Sequence, residues 1–164
     1  MNDLSKDLLD KIKNLYEQKK FSKLETTIEN IKNFEGLPTN LQMIYAVSKA
    51  LNPKSKIQDY KKSAFFFEKI FLSDQTNLEP LYNFIIVSLK ANMYLRLNNL
   101  LEEVYKKHET DIKILEGLSK ANFFLGNMVK ATLYYEKLSN LTPDSSTNWT
   151  KFLGSINYHQ NLKQ

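Results

Sequence analysis

The feature that most constrains this chain is a pattern that repeats every 34 residues. When the stretch from Leu115 to Leu138 is shifted back by 34 positions, apolar residues fall on apolar residues and Gly126 falls on Asn92. Glycine and asparagine are the residues that most readily adopt a left-handed backbone conformation, so a sharp turn is predicted at both places. A sequence with such a period is expected to fold as a series of similar units.

Each unit reads as two helices separated by that turn. Apolar residues recur at spacings of three and four, which is typical of one face of an α-helix. The small side chain of Ala131 predicts that the paired helices approach closely there, and Tyr135 is expected to fill the adjacent space. Pro143 cannot continue a helix and marks the end of its unit. The spacing predicts nine helices, over 3–18, 21–34, 39–51, 57–72, 79–91, 94–107, 111–125, 128–140 and 145–159.

This pattern resembles the tetratricopeptide repeat, and the resemblance covers essentially the whole chain. It implies an all-α fold, a right-handed α-solenoid of antiparallel helix hairpins, in a single domain over residues 1–164. The fourth unit departs from the family at Asn122, where an aromatic residue is usual. That unit matches the family at Leu115, Leu118, Gly126, Ala131, Tyr135 and Pro143. The units are about 4–37, 38–77, 78–111 and 112–145, with a capping helix at 146–160.

Composition limits the partners and the cellular location that we expect. The net charge of +5 comes from 22 lysines and a single arginine, Arg96, whereas nucleic-acid recognition favours the bidentate guanidinium. We therefore expect no nucleic-acid partner. The absence of cysteine is compatible with a reducing compartment, and we expect a cytoplasmic location. The longest uncharged stretch near the middle, residues 80–89, is half the length of a membrane-spanning helix, so no membrane association is expected.

Groups suited to catalysis are scarce. His108 and His159 have no partner at metal-ligand spacing on the same helix face. Glu102 and Glu103 are adjacent, so a helix would point them in different directions. The four glycines form no phosphate-binding loop. We expect no catalytic, metal or cofactor site, and therefore a protein that is not an enzyme.

The resemblance instead implies a binding role. In the tetratricopeptide family the first helix of each unit lines a concave groove that binds peptides or extended segments. Aromatic residues and lysines at these positions suit an acidic peptide or a terminal carboxylate, although an ordinary solvated face would look the same. A carboxylate clamp is not predicted, because Ala46 and Gly117 stand where polar groups are needed. The predicted groove residues are Lys13, Tyr16, Gln42, Lys49, Tyr82, Asn83, Ile86, Lys90, Lys113, Lys120 and Phe123.

The C-terminal segment allows two interpretations. Trp149, Phe152, Leu153 and Ile156 are in phase with a first helix, so this half unit is predicted to cap the array and cover its apolar edge. The stretch from Trp149 to His159 also resembles the junction to a glycosyltransferase domain of the O-GlcNAc-transferase type. On that alternative the chain is the substrate-recruiting region of a larger transferase whose catalytic domain is absent here. Self-association through an exposed terminal helix is left open as well.

Overall fold

The computed structural model describes residues 4–32 and 36–142, and every regular element within them is helical. The all-α fold class is therefore confirmed for this part of the chain. The ninth predicted helix and the capping residues after Thr142 lie outside the described residues. The eight helices are α1 (Lys6–Glu17), α2 (Phe21–Glu29), α3 (Thr39–Leu51), α4 (Ile57–Ser73), α5 (Glu79–Lys90), α6 (Tyr94–Tyr105), α7 (Ile112–Phe124) and α8 (Met128–Leu141).

Helix α2 is shorter than the sequence predicts. It ends at Glu29, whereas the predicted end is residue 34. The hydroxyls of Thr26 and Thr27 donate to carbonyls four residues earlier in α2, a pattern that weakens and bends helices. Asn30 then caps the helix, and its N–H donates to the carbonyl of Thr26 at 3.2 Å. The other seven described helices begin and end within three residues of the predicted positions.

The turns after α1, α5 and α7 each contain one residue with a left-handed backbone. The φ angles are 53° at Lys19, 57° at Asn92 and 81° at Gly126. The 34-residue period therefore located correctly the two turns that it predicted, at Asn92 and Gly126. Lys19 is neither glycine nor asparagine, and this conformation costs such a residue about 1 kcal/mol.

The chain divides into two compact units, Met1–Ala91 and Asn92–Gln164. In the first unit α3 packs against α2, α4 and α5, and α1 packs against α2. Phe67 is fully buried, whereas Phe65 is exposed. The largest fully buried side chains of this unit are Ile12, Leu24, Ile28, Tyr45, Phe67, Phe71, Leu81 and Phe84.

In the second unit α7 packs against both α6 and α8. Ala131 is fully buried, and its carbonyl accepts a hydrogen bond from the Ser119 hydroxyl at 3.2 Å. The predicted close approach of the paired helices is therefore confirmed. Tyr134, and not Tyr135, is the more deeply buried tyrosine of α8. Asn122 is buried as well, and its amide donates to Asn98 of α6 at 2.7 Å, which gives this departure from the repeat pattern a structural role.

Candidate binding surface

Two of the predicted groove residues on α3 lie inside the first unit. Lys49 is only 4% exposed, and Gln42 is 7% exposed. The amide of Gln42 donates to the carbonyl of Leu37 at 2.6 Å. Neither side chain is presented to a ligand, so the accessible face of α3 is not the one that the sequence predicted.

Lys49 is surrounded by carboxylates from two neighbouring helices. Its Nζ lies 3.0 Å from Oε2 of Glu25 and 3.1 Å from Oδ1 of Asp59. Oε1 of Glu29 lies 3.4 Å from the same nitrogen and also accepts a hydrogen bond from the Tyr45 hydroxyl. The ammonium group therefore links α3 to α2 on one side and to α4 on the other.

The surroundings of Lys49 and Tyr45 raise the pKa of both groups. Burial disfavours the charged form of Lys49, but hydrogen bonds to Glu25 and Asp59 outweigh it, so the pKa of Lys49 is raised above its usual range. For Tyr45 burial acts in the opposite direction, and burial together with the hydrogen bond to Glu29 raises the pKa of its hydroxyl. An amine and a phenol that both keep their protons are poor nucleophiles and poor bases. The cluster is built to fix α3 in place.

Beyond Thr39 and Asn40 in its first turn, the outward side of α3 is apolar. After Asn40, the polar side chains of this helix are those of Gln42, Tyr45, Ser48 and Lys49. All four are buried. Leu51, at the end of the helix, is 57% exposed. The accessible side chains after the first turn are Met43, Ile44, Val47, Ala50 and Leu51.

Helix α5, which packs against α3, carries four predicted groove residues. Ile86 is 54% exposed, and Tyr82 and Asn83 are half-buried. The exposed Lys90 places its Nζ 5.2 Å from the centre of the Tyr60 ring, a cation–π contact that holds the charge at the end of the helix. We call nine accessible residues of these two helices the α3–α5 surface. It comprises Met43, Ile44, Val47, Ala50, Leu51, Tyr82, Asn83, Ile86 and Lys90.

The remaining predicted groove residues lie on other helices. Lys13 and Tyr16 are exposed on α1, where Lys13 pairs with Glu17 at 4.0 Å. On α7, Lys113 and Lys120 are both exposed, and Lys120 pairs with Glu116.

Phe123 of α7 is mostly buried, and it packs in a cluster with Ala131 and Met128 of α8. It is therefore part of the interior of the second unit. Among the predicted groove residues, only the four on α5 belong to the α3–α5 surface together with newly identified residues of α3.

The accessible residues of α3 were missed because hydrophobic residues are normally assigned to the interior. One signal was present. Between Leu41 and Leu51 the sequence is apolar on almost every side, which is typical of a helix with neighbours all around it. In such a helix the few polar residues form one narrow strip. That strip faces inward when polar or charged side chains on neighbouring helices can pair with it.

Comparisons with protein-family models, with curated proteins and with solved structures found no match. Within residues 4–32 and 36–142, no group of three or more histidine, aspartate or glutamate side chains is placed to hold a metal ion. None of the helices in this part of the chain is long and apolar enough to cross a membrane. The segment that resembles a glycosyltransferase junction, Trp149 to His159, lies outside the described residues.

Proposed function

We propose that this protein is a non-catalytic interaction module that binds an apolar segment of a partner protein on the α3–α5 surface. One observation carries the proposal. Helix α3 buries its lysine and its glutamine and turns only apolar side chains outward after its first turn. Burying a charged group is costly and exposing apolar area gains nothing in the free protein, so an outer face of this kind is typical of a binding site.

The charge on this surface favours a particular ligand. Lys90 is the charged side chain at the C-terminal end of the α3–α5 surface, whereas the exposed Glu79 lies at the opposite end of α5. The ammonium group of Lys90 is held over Tyr60, and so it is ordered before any ligand arrives. A fitting ligand has apolar side chains to cover Val47 and Ile86 and a carboxylate that reaches Lys90. An acidic segment or a terminal carboxylate of the partner would satisfy this requirement.

The repeat supports the same class of function. The left-handed residues Asn92 and Gly126 are 34 positions apart, as the tetratricopeptide pattern requires. We infer that the chain is built on repeats of the tetratricopeptide type, and that the first helices of its units supply the binding residues. The location of α3 and α5 within the second and third predicted units is consistent with that inference.

Two matched substitutions test the proposal. Ile86 on α5 and Leu72 on α4 both belong to the compact unit Met1–Ala91, and they are 54% and 52% exposed. Of the two, Ile86 alone lies on the α3–α5 surface. The wild-type protein, Ile86→Glu and Leu72→Glu would be used to capture partners from an extract of the native cells. The captured protein would then be purified and titrated against each variant by calorimetry.

We expect Ile86→Glu to weaken binding at least about tenfold, because it places a charge within an apolar contact. Leu72→Glu is expected to bind as the wild type does, and both variants should unfold at similar urea concentrations. Equal binding by all three proteins would show that the α3–α5 surface is not the binding site. The single variant Lys90→Glu, titrated in the same way, would show whether Lys90 recognises a carboxylate of the ligand.

A further inference from the structure

An open groove lies between α1 and α2 in the first unit. It has a volume of about 1270 Å³ and none of its lining residues belongs to the α3–α5 surface. Its aliphatic side chains are Leu4, Leu8, Leu15 and Ile31, and each of them is half-buried. The free chain therefore leaves a row of aliphatic groups only partly covered.

The row follows α1 along one stripe. Leu8, Lys11 and Leu15 are separated by three and four residues, which places them on one side of α1, and Leu4 lies just before the helix begins. The helical part of this stripe, from Leu8 to Leu15, is about 10 Å long, or two helical turns. On the opposite wall the hydroxyl of Thr27 donates to its own helix at 2.8 Å, so that this polar group needs no outside partner. The groove can therefore accept apolar side chains along its length.

The charges around this groove have one sign. Lys11, Lys23 and Lys32 are exposed, and no carboxylate occurs among the described residues that line the groove. Neither Lys11 nor Lys23 forms an ion pair with another residue of the described ranges. The acidic partner of Lys13, Glu17, does not line the groove.

We propose that the groove between α1 and α2 binds an acidic amphipathic helix of a partner protein. Such a helix would insert apolar side chains between Leu8, Leu15 and Ile31, and its flanking carboxylates would meet the lysines. A second copy of this chain is a poor occupant, because a two-fold interface would bring lysines against lysines. This groove shares no residue with the α3–α5 surface, so either binding proposal can be wrong while the other holds.

The test uses a fluorescent synthetic peptide of about three helical turns. The peptide has leucines along one face and glutamates at the other positions. A matched peptide carries lysine in place of each glutamate, and a third has the first composition in scrambled order. Fluorescence anisotropy would measure the binding of each peptide to the full chain at low and at moderate salt.

The protein variant is Lys11→Glu with Lys23→Glu, and its control is Lys61→Glu with Lys69→Glu, which reverses two exposed charges on α4. Circular dichroism would verify that both retain the wild-type helix content. We expect the glutamate peptide to bind the wild type and the control, and to bind the groove variant about tenfold more weakly, since two attractions become repulsions. We expect no binding of the lysine peptide or the scrambled peptide.

Four results would overturn the proposal. The first is equal binding of the glutamate peptide to the groove variant and to its control. The second is equal binding of the scrambled peptide, which would mean that charge alone is sufficient. The third is a wild-type dimer in gel filtration that Lys11→Glu with Lys23→Glu dissociates, which would assign the groove to self-association. The fourth is sedimentation of the wild type with anionic phosphatidylglycerol vesicles that the same variant abolishes, which would assign it to a membrane surface.

Discussion

The ammonium group of Lys49 lies 3.0 Å from Oε2 of Glu25, and both side chains are largely removed from solvent. The other oxygen of Glu25 accepts a hydrogen bond from the amide of Asn52 at 2.8 Å, so both carboxylate oxygens are satisfied. These contacts join residues that are more than twenty positions apart in sequence. They determine which side of α3 faces the interior of the first unit, and hence which side chains reach its surface.

Removal of the Lys49 charge is expected to be strongly destabilising. Lys49→Met leaves the carboxylates of Glu25, Glu29 and Asp59 close together without their cation, and we expect a loss of about 3 kcal/mol in the free energy of unfolding. Urea denaturation followed by circular dichroism would measure it. Lys61→Met, at an exposed position on the neighbouring helix α4, is the control and should change stability by less than about 0.5 kcal/mol.

A compensated variant separates charge from packing. Adding Glu25→Gln and Asp59→Asn to Lys49→Met removes two of the unpaired charges and keeps polar groups of similar shape. We expect this triple variant to regain more than half of the lost stability, because neutral polar groups are cheaper to bury than carboxylates. If the triple variant were as unstable as Lys49→Met alone, the loss would come from the packing of the lysine stem.

The positions of the helices could be predicted from the sequence because they depend on local properties. Apolar spacing of three and four residues located α3 and α8, and the 34-residue period located the left-handed turns at Asn92 and Gly126. The close approach at Ala131 followed from side-chain size alone. The helical spacing and the size of Ala131 involve residues within one or two helical turns of each other, and the period compares such local patterns at equivalent positions.

The orientation of α3 could not be predicted in that way. Hydrophobic patterning assigns Gln42 and Lys49 to the outside, and the structure buries both. The difference arises from acidic residues on other helices, such as Glu25 and Asp59, whose proximity to Lys49 depends on how α2, α3 and α4 pack. Long-range partners therefore override the local preference of a charged residue for water.

Stability of the second unit should depend on pH through Glu102. Burial raises the pKa of this carboxyl, but hydrogen bonds from Lys130 and Tyr134 outweigh it, so the pKa lies below its usual value of 4.5. A depressed pKa in the folded state stabilises above the usual pKa, and this contribution is lost as the pH falls through the folded-state value. We expect Glu102→Gln to cost about 1–2 kcal/mol at neutral pH.

The pH dependence itself is the measurement that checks this assignment. The difference in unfolding free energy between the wild type and Glu102→Gln should be constant above about pH 5 and should shrink below it. Glu103→Gln, on the exposed side of the same helix, is the control, because the one ion pair of its carboxylate within the described ranges is with Lys106, one turn away. An equal and equally pH-dependent loss in both variants would contradict the role given to the contacts from α8.

Two of the left-handed turns allow a pair of substitutions whose expected effects on stability have opposite signs. At Gly126 an added Cβ meets no atom within 4 Å, so only the φ angle of 81° opposes Gly126→Ala, and we expect a loss of about 1 kcal/mol. Lys19 has a φ of 53° and an exposed side chain, so Lys19→Gly should increase stability by about 0.5–1 kcal/mol. Thermal unfolding would measure both, and a loss of stability in Lys19→Gly would contradict the left-handed turn between α1 and α2.

Ala131 and Lys113 test the distinction between interior and surface in the second unit. Ala131 is fully buried, and its carbonyl accepts a hydrogen bond from Ser119 on the facing helix. Ala131→Leu forces a larger side chain into that contact and should cost about 1–3 kcal/mol. Lys113 is exposed in the first turn of α7, where a negative charge is favourable, so Lys113→Glu should change stability by less than about 0.5 kcal/mol. Urea denaturation would compare the two, and an equal loss from both would show that the interior and exposed faces of α7 and α8 are assigned incorrectly.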